Sequence, residues 1–560
     1  MRTQSSPVQG KKHSEKSFFE KHEYILIFSI IFLIVTVSNL SAVFGLDILF
    51  QDDNARYYSY INDEYQISNT RSFIGFALFL KWIIVVIFSN YSTELARLYV
   101  VLVYMIPASC LFYFFNRRYL HVSVWASLTS AVIINSIPRQ FYIPTFLDGS
   151  YPAVGMLFFI STLIISAEYL KSSRNNYLLL ILASFGWVLV CDLMNEMGIF
   201  LLPVFLYFVY SSKSDNKKKL TLFLTTSVIT SFKLFAFLQT MGVNPVNKPT
   251  SLSIRDMASR IIHSIEWWMP TGGGIATTSI VAILIIAISG YSFLKLRNAS
   301  PAGNSTARAF IFYGLWYLAS SFPFWFLSKF YGPRYLYISY FALTAIASIG
   351  IYYVFIYRKP YKNIIAAISL LLLFTVYTVN RNASNTAYFN IMNKKNDVIL
   401  SLLSDKQINT DTQIALVNFN NGTGGFHIWS SGYLRYILKK PRVTGIIGNE
   451  ENFYDPFNMN HCGYGYRMSC LETGKELIAF KKYSKNQTAQ MNYFLQWKTK
   501  GDRNSEWSLY QTDENNKLSM IKEGRGLDSY LEALSESNLK AEHVLWGNSN
   551  DEKSLVSFSQ

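Results

Sequence analysis

Long apolar runs separated by short polar segments occupy residues 24–380 of this 560-residue chain. Several runs are long enough to cross the ~30 Å hydrocarbon core of a bilayer as helices. The pattern therefore predicts a polytopic α-helical membrane protein with about eleven transmembrane helices. The runs fall at 24–46, 73–90, 96–115, 121–138, 152–168, 176–191, 196–210, 218–240, 276–294, 308–328, 335–356 and 362–380.

The run at 73–90 decides the predicted topology. If it spans the membrane, most of the later basic clusters fall outside, against the positive-inside rule. If it lies along the outer surface, those clusters fall inside, and Lys81 in its middle favours an interfacial helix. We therefore expect a surface helix here, with the N-terminus inside and the C-terminus outside. The basic clusters are Arg117 and Arg118, Lys171 and Arg174, Lys217 to Lys219, and Arg358, Lys359 and Lys362.

This topology divides the chain into three parts. Residues 1–23 form a cytoplasmic segment, and the first apolar run is expected to be an uncleaved signal anchor. Residues 24–380 form the membrane domain, with outer loops at 47–95 and 241–275. Residues 381–560 alternate strand-like runs (QIALVNF, RYILKKPRVTGIIG, ELIAFKKY) with a helical piece (LDSYLEALSES). This alternation predicts a soluble α+β domain outside the cytoplasm.

Composition agrees with this division and excludes one class of partner. The chain is 51% hydrophobic and 16% aromatic, above globular averages. The net charge of +16 comes mainly from the membrane half, where basic residues set topology. No basic run interleaved with aromatic residues predicts a nucleic-acid surface.

The four cysteines fall into two groups. Cys110 and Cys191 lie in apolar runs and are expected to pack. Cys462 and Cys470 lie in the tail, where a location outside the cytoplasm favours a disulfide over a zinc site.

Two adjacent acids follow the first apolar run, and they carry the main chemical hypothesis. Asp52 and Asp53 stand in FGLDILFQDDNARYYSY, with Arg56 one helical turn on. Such a pair can take a proton from a substrate or hold a divalent cation. The alternative is a solvated helix end without chemistry.

Three basic residues are candidates for binding a phosphate. Arg334 follows a rigid Gly-Pro turn in YGPRYLYISY, and Lys329 lies just upstream. Arg71 opens the expected surface helix. Arginine binds phosphate oxygens in a fork, whereas the alternative for all three is anchoring at lipid headgroups.

Other polar or aromatic residues are candidates for lining a substrate cavity. Asp192 and Glu196 flank the tip of a hairpin formed by the two short runs at 176–191 and 196–210. We expect that tip to reach outer water rather than a buried cavity. Lys233 lies within an apolar run and needs an acid or a lipid phosphate as partner. Trp267 and Trp268 precede a TGGG turn, where a belt position is the main expectation and sugar stacking the alternative.

This arrangement resembles the GT-C glycosyltransferases over residues 24–380. The shared features are a first span, an outer loop with DD and a downstream Arg, a surface helix, and PRYLY near a late outer helix end. Within that superfamily it is most similar to the O-antigen glucosyltransferases, the Gtr-type serotype-converting enzymes. Those proteins also have a soluble outer C-terminal tail.

The resemblance implies a site and a reaction. A sugar, glucose in the Gtr-type enzymes, would move from a polyprenyl-phosphate donor to a lipid-linked or surface glycan such as O-antigen. The location would be the outer face of a bacterial inner membrane. Asp52 or Asp53 would be the base, while Arg334, with Lys329 or Arg71, would hold the donor phosphate. The resemblance implies no definite cofactor, and a divalent cation at Asp52 and Asp53 is left as an open alternative. A flippase and a donor-synthesising enzyme are implied partners.

Two other functions remain open on the sequence. A polysaccharide polymerase or ligase would join similar lipid-linked sugars but usually carries its outer domain between spans. A lipid or solute transporter would typically show paired half-repeats, and none is visible.

Overall fold

The computed structural model describes most of the membrane part and separate segments of the tail. Its described residues are 18–46, 80, 83, 92–140, 142–145, 151–173, 176–194, 196–243, 254–270, 275–297, 301–327 and 336–404, then 413–417, 444–448, 476–480, 493–497, 506–512, 518–526, 529, 532, 543–546 and 556–559.

Helices make up nearly all of the described residues before the tail. Seven of them are long and apolar enough to cross a membrane, counted within the described ranges. This confirms the predicted helical membrane architecture. The helices are α1 Phe18–Phe44, α2 Thr93–Arg118, α3 Val124–Ile133, α4 Tyr151–Lys171, α5 Tyr177–Leu193, α6 Glu196–Phe200, α7 Leu202–Ser211, α8 Asn216–Val243, α9 Ile254–Glu266, α10 Ile275–Arg297, α11 Pro301–Phe322, α12 Tyr337–Ile351 and α13 Lys362–Ser404.

The side chains of α1 explain how an apolar helix fits this bundle. Ile27, Ile31 and Val35 recur every four residues and are buried against other helices. Phe32 and Leu33 lie between them in sequence and are exposed. One face therefore packs on protein, while the other is apolar and suited to lipid.

The centre of the bundle is formed by α4 and α12. In their most apolar stretches 67% and 72% of residues are buried, against 6% in α10 at the perimeter. Aromatic side chains fill the centre edge to face. The rings of Phe159 and Trp316 are 4.9 Å apart, and those of Phe112 and Phe341 are 5.0 Å apart. Such pairs add specific geometry to apolar burial.

The last helix is much longer than a membrane span. α13 runs from Lys362 to Ser404, whereas about 20 residues suffice to cross hydrocarbon. The predicted end of the membrane domain at 380 falls inside this helix. Its C-terminal part therefore leads as a continuous helix toward the tail.

The described residues of the tail form an eight-stranded mixed sheet in the order β6-β5-β4-β3-β2-β1-β7-β8. β1 pairs in parallel with β2 and β7, and β2 to β6 form an antiparallel series. Strands lie in the three segments that the sequence marks as strand-like. The strands are β1 Gln413–Val417, β2 Thr444–Gly448, β3 Glu476–Phe480, β4 Tyr493–Trp497, β5 Glu506–Thr512, β6 Leu518–Arg525, β7 His543–Trp546 and β8 Val556–Ser559.

Contacts between α1 and α2 define the two ends of the bundle. Arg97, near the start of α2, donates to the carbonyl oxygen of Leu46 at 2.6 Å. Arg117, near the end of α2, donates to Glu23 near the start of α1 at 2.8 Å. The two helices are therefore antiparallel. We call these ends of the bundle the Leu46 end and the Glu23 end.

Candidate functional site

The residues proposed for catalysis and phosphate binding lie outside the described residues. What the structure describes is the chain on either side of them. The 47–95 loop follows Leu46, and the connector with Lys329 and Arg334 precedes Leu336. The undescribed candidates are Asp52, Asp53, Arg56, Arg71, Lys329, Arg334, Cys462 and Cys470.

The Leu46 flank is held by a buried arginine. Arg97 is fully buried, and its Nη1 donates to the carbonyl oxygens of Val43 at 3.3 Å and Leu46 at 2.6 Å. The last carbonyl groups of a helix have no partner within the helix. A guanidinium satisfies them and complements the negative helix end. The point where the chain leaves α1 is thereby fixed.

Polar side chains of α13 hold the same end of α1. Ser41 donates to the amide oxygen of Asn382 at 2.7 Å and accepts from Asn385 at 3.0 Å. Further along, the side chain of Asn393 donates to the carbonyl oxygen of Gly45 at 3.1 Å. These contacts join the first and last helices just before the loop that carries Asp52 and Asp53.

The Tyr337 flank is held by Asn135 at the end of α3. The Tyr337 hydroxyl donates to the Asn135 side-chain oxygen at 3.2 Å. The Asn135 side-chain nitrogen donates to Ser109 at 2.7 Å. The first turn of α12, which follows the Arg334 connector, is thus fixed to α2 and α3.

Arg381 of α13 joins the two flanks. Its guanidinium donates to the carbonyl oxygen of Asn135 and, at 2.5 Å, to the side-chain oxygen of Asn39 on α1. A continuous hydrogen-bonded series therefore runs from Asn39 through Arg381 and Asn135 to Tyr337. The flanks of both candidate loops meet at one polar network inside the bundle.

Helix α9 of the predicted outer loop 241–275 packs at the Leu46 end. The Tyr340 hydroxyl donates to the carbonyl oxygen of Ser264 at 2.9 Å, and Tyr340 lies one turn after Tyr337. Arg260 donates to the carbonyl oxygen of Phe324 at 2.9 Å, near the end of α11. The helix therefore forms part of the wall next to the network.

The two tryptophans after α9 have different surroundings. Trp268 donates from Nε1 to Thr344 at 2.9 Å and packs against Tyr377. It is therefore a packing residue between helices. Trp267 is half-buried and stacks on the imidazole of His263.

The prediction that Asp192 reaches outer water is wrong. Its side chain is 1% exposed instead of reaching water at a tip. The cause is close packing around the end of α5, where a Cβ at Gly198 would approach the Cα of Cys191 to 2.8 Å. Lys233 of α8 is also buried, and Trp187 of α5 donates to Thr230 of α8 at 2.9 Å nearby. The predicted intramembrane lysine therefore lies on a helix that packs against the helix of this acid. Glu196 begins α6.

The predicted packing of Cys110 and Cys191 inside the bundle is confirmed. Cys191 is buried, Cys110 is half-buried, and both are free thiols. Within the described residues, no group of three or more His, Cys, Asp and Glu side chains is placed to hold a metal. The proposed cation ligands Asp52 and Asp53 are not among those residues.

The Glu23 end gathers basic residues and their partners. Arg117 pairs with Glu23, and Arg118 lies 3.7 Å from Glu168. Lys218 donates to the carbonyl oxygen of Ser172 at 2.5 Å. Described residues of all four predicted basic clusters therefore lie near this end, since Lys171 lies 4.2 Å from the centre of the Tyr119 ring and Trp125 bonds Asn363 beside Lys362.

Sequence reasoning missed Arg97 and Arg381, the two arginines that are fully buried among the described residues. The role of Arg97 could not be predicted, because a basic residue at the start of a span has the sequence pattern of a headgroup anchor. A signal for Arg381 is present, however. Arg381, Asn385 and Asn393 recur at helical spacing, which continues the last span beyond 380 as a helix with one polar face.

A scan against protein-family models finds no match, and neither does a comparison with curated proteins. Among solved structures, the chain is similar to the archaeal oligosaccharyltransferase AglB from Archaeoglobus fulgidus in complex with an inhibitory peptide and a dolichol-phosphate. That likeness has a TM-score of 0.44 and 13% identity, and covers 78% of this chain and 70% of the other. The chain is also similar to ArnT from Cupriavidus metallidurans bound to undecaprenyl phosphate, with a TM-score of 0.46, 11% identity, and coverage of 77% and 94%. At these scores, neither likeness assigns a family or a function to the chain.

Proposed function

We propose that this chain is a multi-pass membrane glycosyltransferase. It moves a sugar from a polyprenyl-phosphate donor to a glycan acceptor at the Leu46 end of the bundle. The observation that carries the proposal is the convergence of two flanks on one buried network. Leu46 leads to the loop with the paired acids, and Leu336 follows the connector with Arg334.

The chemistry of the candidate residues suits this transfer. Asp52 or Asp53 removes the proton from an acceptor hydroxyl, whose oxygen attacks the anomeric carbon of the donor sugar. The bond between that carbon and the phosphate oxygen breaks, and polyprenyl phosphate leaves. Arg334, with Lys329 or Arg71, stabilises the negative charge on the departing phosphate. The phosphate is already a good leaving group, so the reaction needs no general acid.

The rigidity of the flanks supports a catalytic use of this end. A base and a phosphate ligand on separate loops can act on one substrate only when the two loops are held at a fixed relative position. Hydrogen bonds from fully buried side chains supply that restraint on both sides, at Arg97 and at Arg381. A solvated helix end would need neither buried arginine.

The distribution of basic residues between the two ends of the bundle supports an orientation with the Glu23 end in the cytoplasm and the Leu46 end outside. Basic residues near Glu23 would face the cytoplasm under the positive-inside rule. The Leu46 end and the tail would then face the periplasm of a bacterium whose inner membrane holds the protein. Lipid-linked glycans such as O-antigen are the acceptor class proposed there, with glucose as the first sugar to test.

The decisive experiment supplies radiolabelled polyprenyl-phosphate glucose and lipid-linked glycan to membranes that contain the protein. Transfer of label should depend on the protein and fall by about 10²–10⁴ in either Asp52→Asn or Asp53→Asn. Asp215→Asn is the matched control, because Asp215 is an exposed aspartate near the Glu23 end. Full activity of the Asp52 and Asp53 variants would refute the catalytic assignment. Absence of transfer with glucose and with other polyprenyl-linked hexoses would refute the proposed function.

A chelator arm tests the cation alternative in the same assay. If the acids hold a divalent cation, EDTA should abolish transfer and Mg²⁺ or Mn²⁺ should restore it. If one acid is the base, EDTA should leave the rate unchanged.

A further inference from the structure

Arg381 is a charged side chain in the interior of the bundle. It is 0% exposed and is among the largest fully buried side chains described. Its Nη1 donates to the carbonyl oxygens of Asn135 and, at 3.4 Å, of Ile137. Its Nη2 donates to the side-chain oxygen of Asn39 at 2.5 Å. One guanidinium thus contacts three acceptors on two separate segments.

No carboxylate pairs with this guanidinium in the described part of the chain. Its Nε also lacks a hydrogen-bond partner there. A buried charge without a counter-charge is costly, and a well-packed apolar side chain usually serves stability better. Stability alone therefore gives a poor account of an arginine at this position.

The local backbone explains why a forked cation fits. The helix of α3 ends at Ile133 and continues as short 3₁₀ turns over Ile134–Ser136 and Pro138–Gln140. Carbonyl groups at such a break lose their regular partners. Arg381 bonds two of them and Asn39 at once, through donors in fixed directions. Lysine has a single nitrogen and cannot reproduce that geometry.

We propose that Arg381 is a positioning residue for glycosyl transfer, and this inference rests on the proposed function. Its fork fixes the end of α3 to the last turns of α1. Through Asn135 it also fixes Tyr337 and the start of α12. The residue therefore sets the separation between α1, which precedes the loop with the paired acids, and the start of α12, which follows the connector with Arg334. It touches no reacting atom, because it is fully buried.

The test compares two variants that separate charge from geometry. Arg381→Lys keeps the positive charge and loses the fork, whereas Arg381→Gln loses both. We expect both to lower kcat by about 10–100-fold, because small misplacements of reacting groups are costly. The KM for the donor should change less than about threefold, since phosphate contacts are not removed. Asn39→Ala, which removes one of three acceptors, should give a smaller loss of kcat in the same direction.

Tyr313→Phe is the control for general destabilisation. The Tyr313 hydroxyl donates to Asn116, a buried hydrogen bond in the half of the bundle near Glu23. Losing it should lower thermal stability while leaving kcat per folded molecule unchanged. An equal fall of kcat in Tyr313→Phe and Arg381→Lys would show that Arg381 acts only through stability. Wild-type kcat in Arg381→Lys would equally overturn the proposal.

Hydrogen–deuterium exchange gives a readout that does not need transferase activity. In Arg381→Lys, amides of 39–46 and 134–140 should exchange faster, while those of 110–118 should not change. Unchanged exchange in the first two segments would contradict the positioning role. If Arg381→Lys shows this exchange response while the wild-type protein transfers no sugar, the proposed function fails and the structural linkage stands.

Discussion

Glu23 and Arg117 form an ion pair at 2.8 Å that joins the start of the first helix to the end of the second. At the opposite end, Arg97 bonds Leu46. Leu46 and Ser92, which flank residues 47–91, therefore lie at the same end of the bundle. A single membrane crossing by 73–90 would place those flanks at opposite ends, so this geometry favours the surface position expected from charge.

Reporter fusions test this arrangement. Truncated fusions after Tyr119 and after Ser404 should report opposite sides of the membrane, because α13 begins beside Trp125 and passes Asn39. With the proposed orientation, alkaline phosphatase after Tyr119 should be inactive, and after Ser404 it should be active. The same report from both positions would contradict the helix arrangement. Opposite reports with reversed signs would reverse only the orientation.

Two glycines test the packing of the bundle. A Cβ at Gly186 would lie 2.4 Å from the hydroxyl oxygen of Thr162, whereas a Cβ at Gly314 would have no atom within 4 Å. Gly186→Ala should therefore lower the melting temperature in detergent, because Thr162 is itself bonded to the backbone of α4. Gly314→Ala should be neutral or stabilising by up to about 1 kcal/mol, since alanine favours helix. Equal melting temperatures for the two variants would contradict the close approach of α4 and α5.

Removing the Glu23 carboxylate from its ion pair with Arg117 should lower the stability of the protein measurably. Glu23 accepts from both Arg117 and Tyr113, so Glu23→Ala takes this partner from the half-buried Arg117 and from the fully buried Tyr113. We expect a cost of about 1–3 kcal/mol. Glu23→Gln should cost less, since its amide oxygen can still accept from Tyr113. Thermal unfolding of matched preparations measures this order, and an equal loss in both variants would show that the negative charge, rather than hydrogen bonding, dominates.

In this protein the sequence predicts the helices and strands better than it predicts which groups surround a buried polar side chain. Apolar runs locate the membrane helices because length and hydropathy are local properties. Whether Asp192 meets water or protein depends on which helices pack around it, which no local pattern shows. Arg381 is similar, since its three acceptors lie on α1 and in the segment just after α3, hundreds of residues away. The roles of the paired acids are local hypotheses that remain predictions.

The tail cysteines carry an independent prediction. Cys462 and Cys470 should be oxidised to each other if the tail lies outside the cytoplasm. Mass spectrometry of non-reduced peptides should find one disulfide-linked species and no free thiol at either position. The short loop limits the stabilisation to about 2–3 kcal/mol. Two free thiols in protein from an oxidising compartment would refute the bond.

Arg334 distinguishes a phosphate ligand from a headgroup anchor. If it holds the donor phosphate, Arg334→Ala should raise the donor KM and lower kcat together, because the contact exists in the ground state and strengthens as the phosphate leaves. Arg334→Lys should restore part of the loss, since lysine keeps the charge without the fork. A snorkelling anchor predicts near-normal kinetics in both variants once expression is matched. Steady-state rates at varied donor concentration decide between them, with Arg297→Ala, a basic residue at the end of α10, as the control for loss of an anchor.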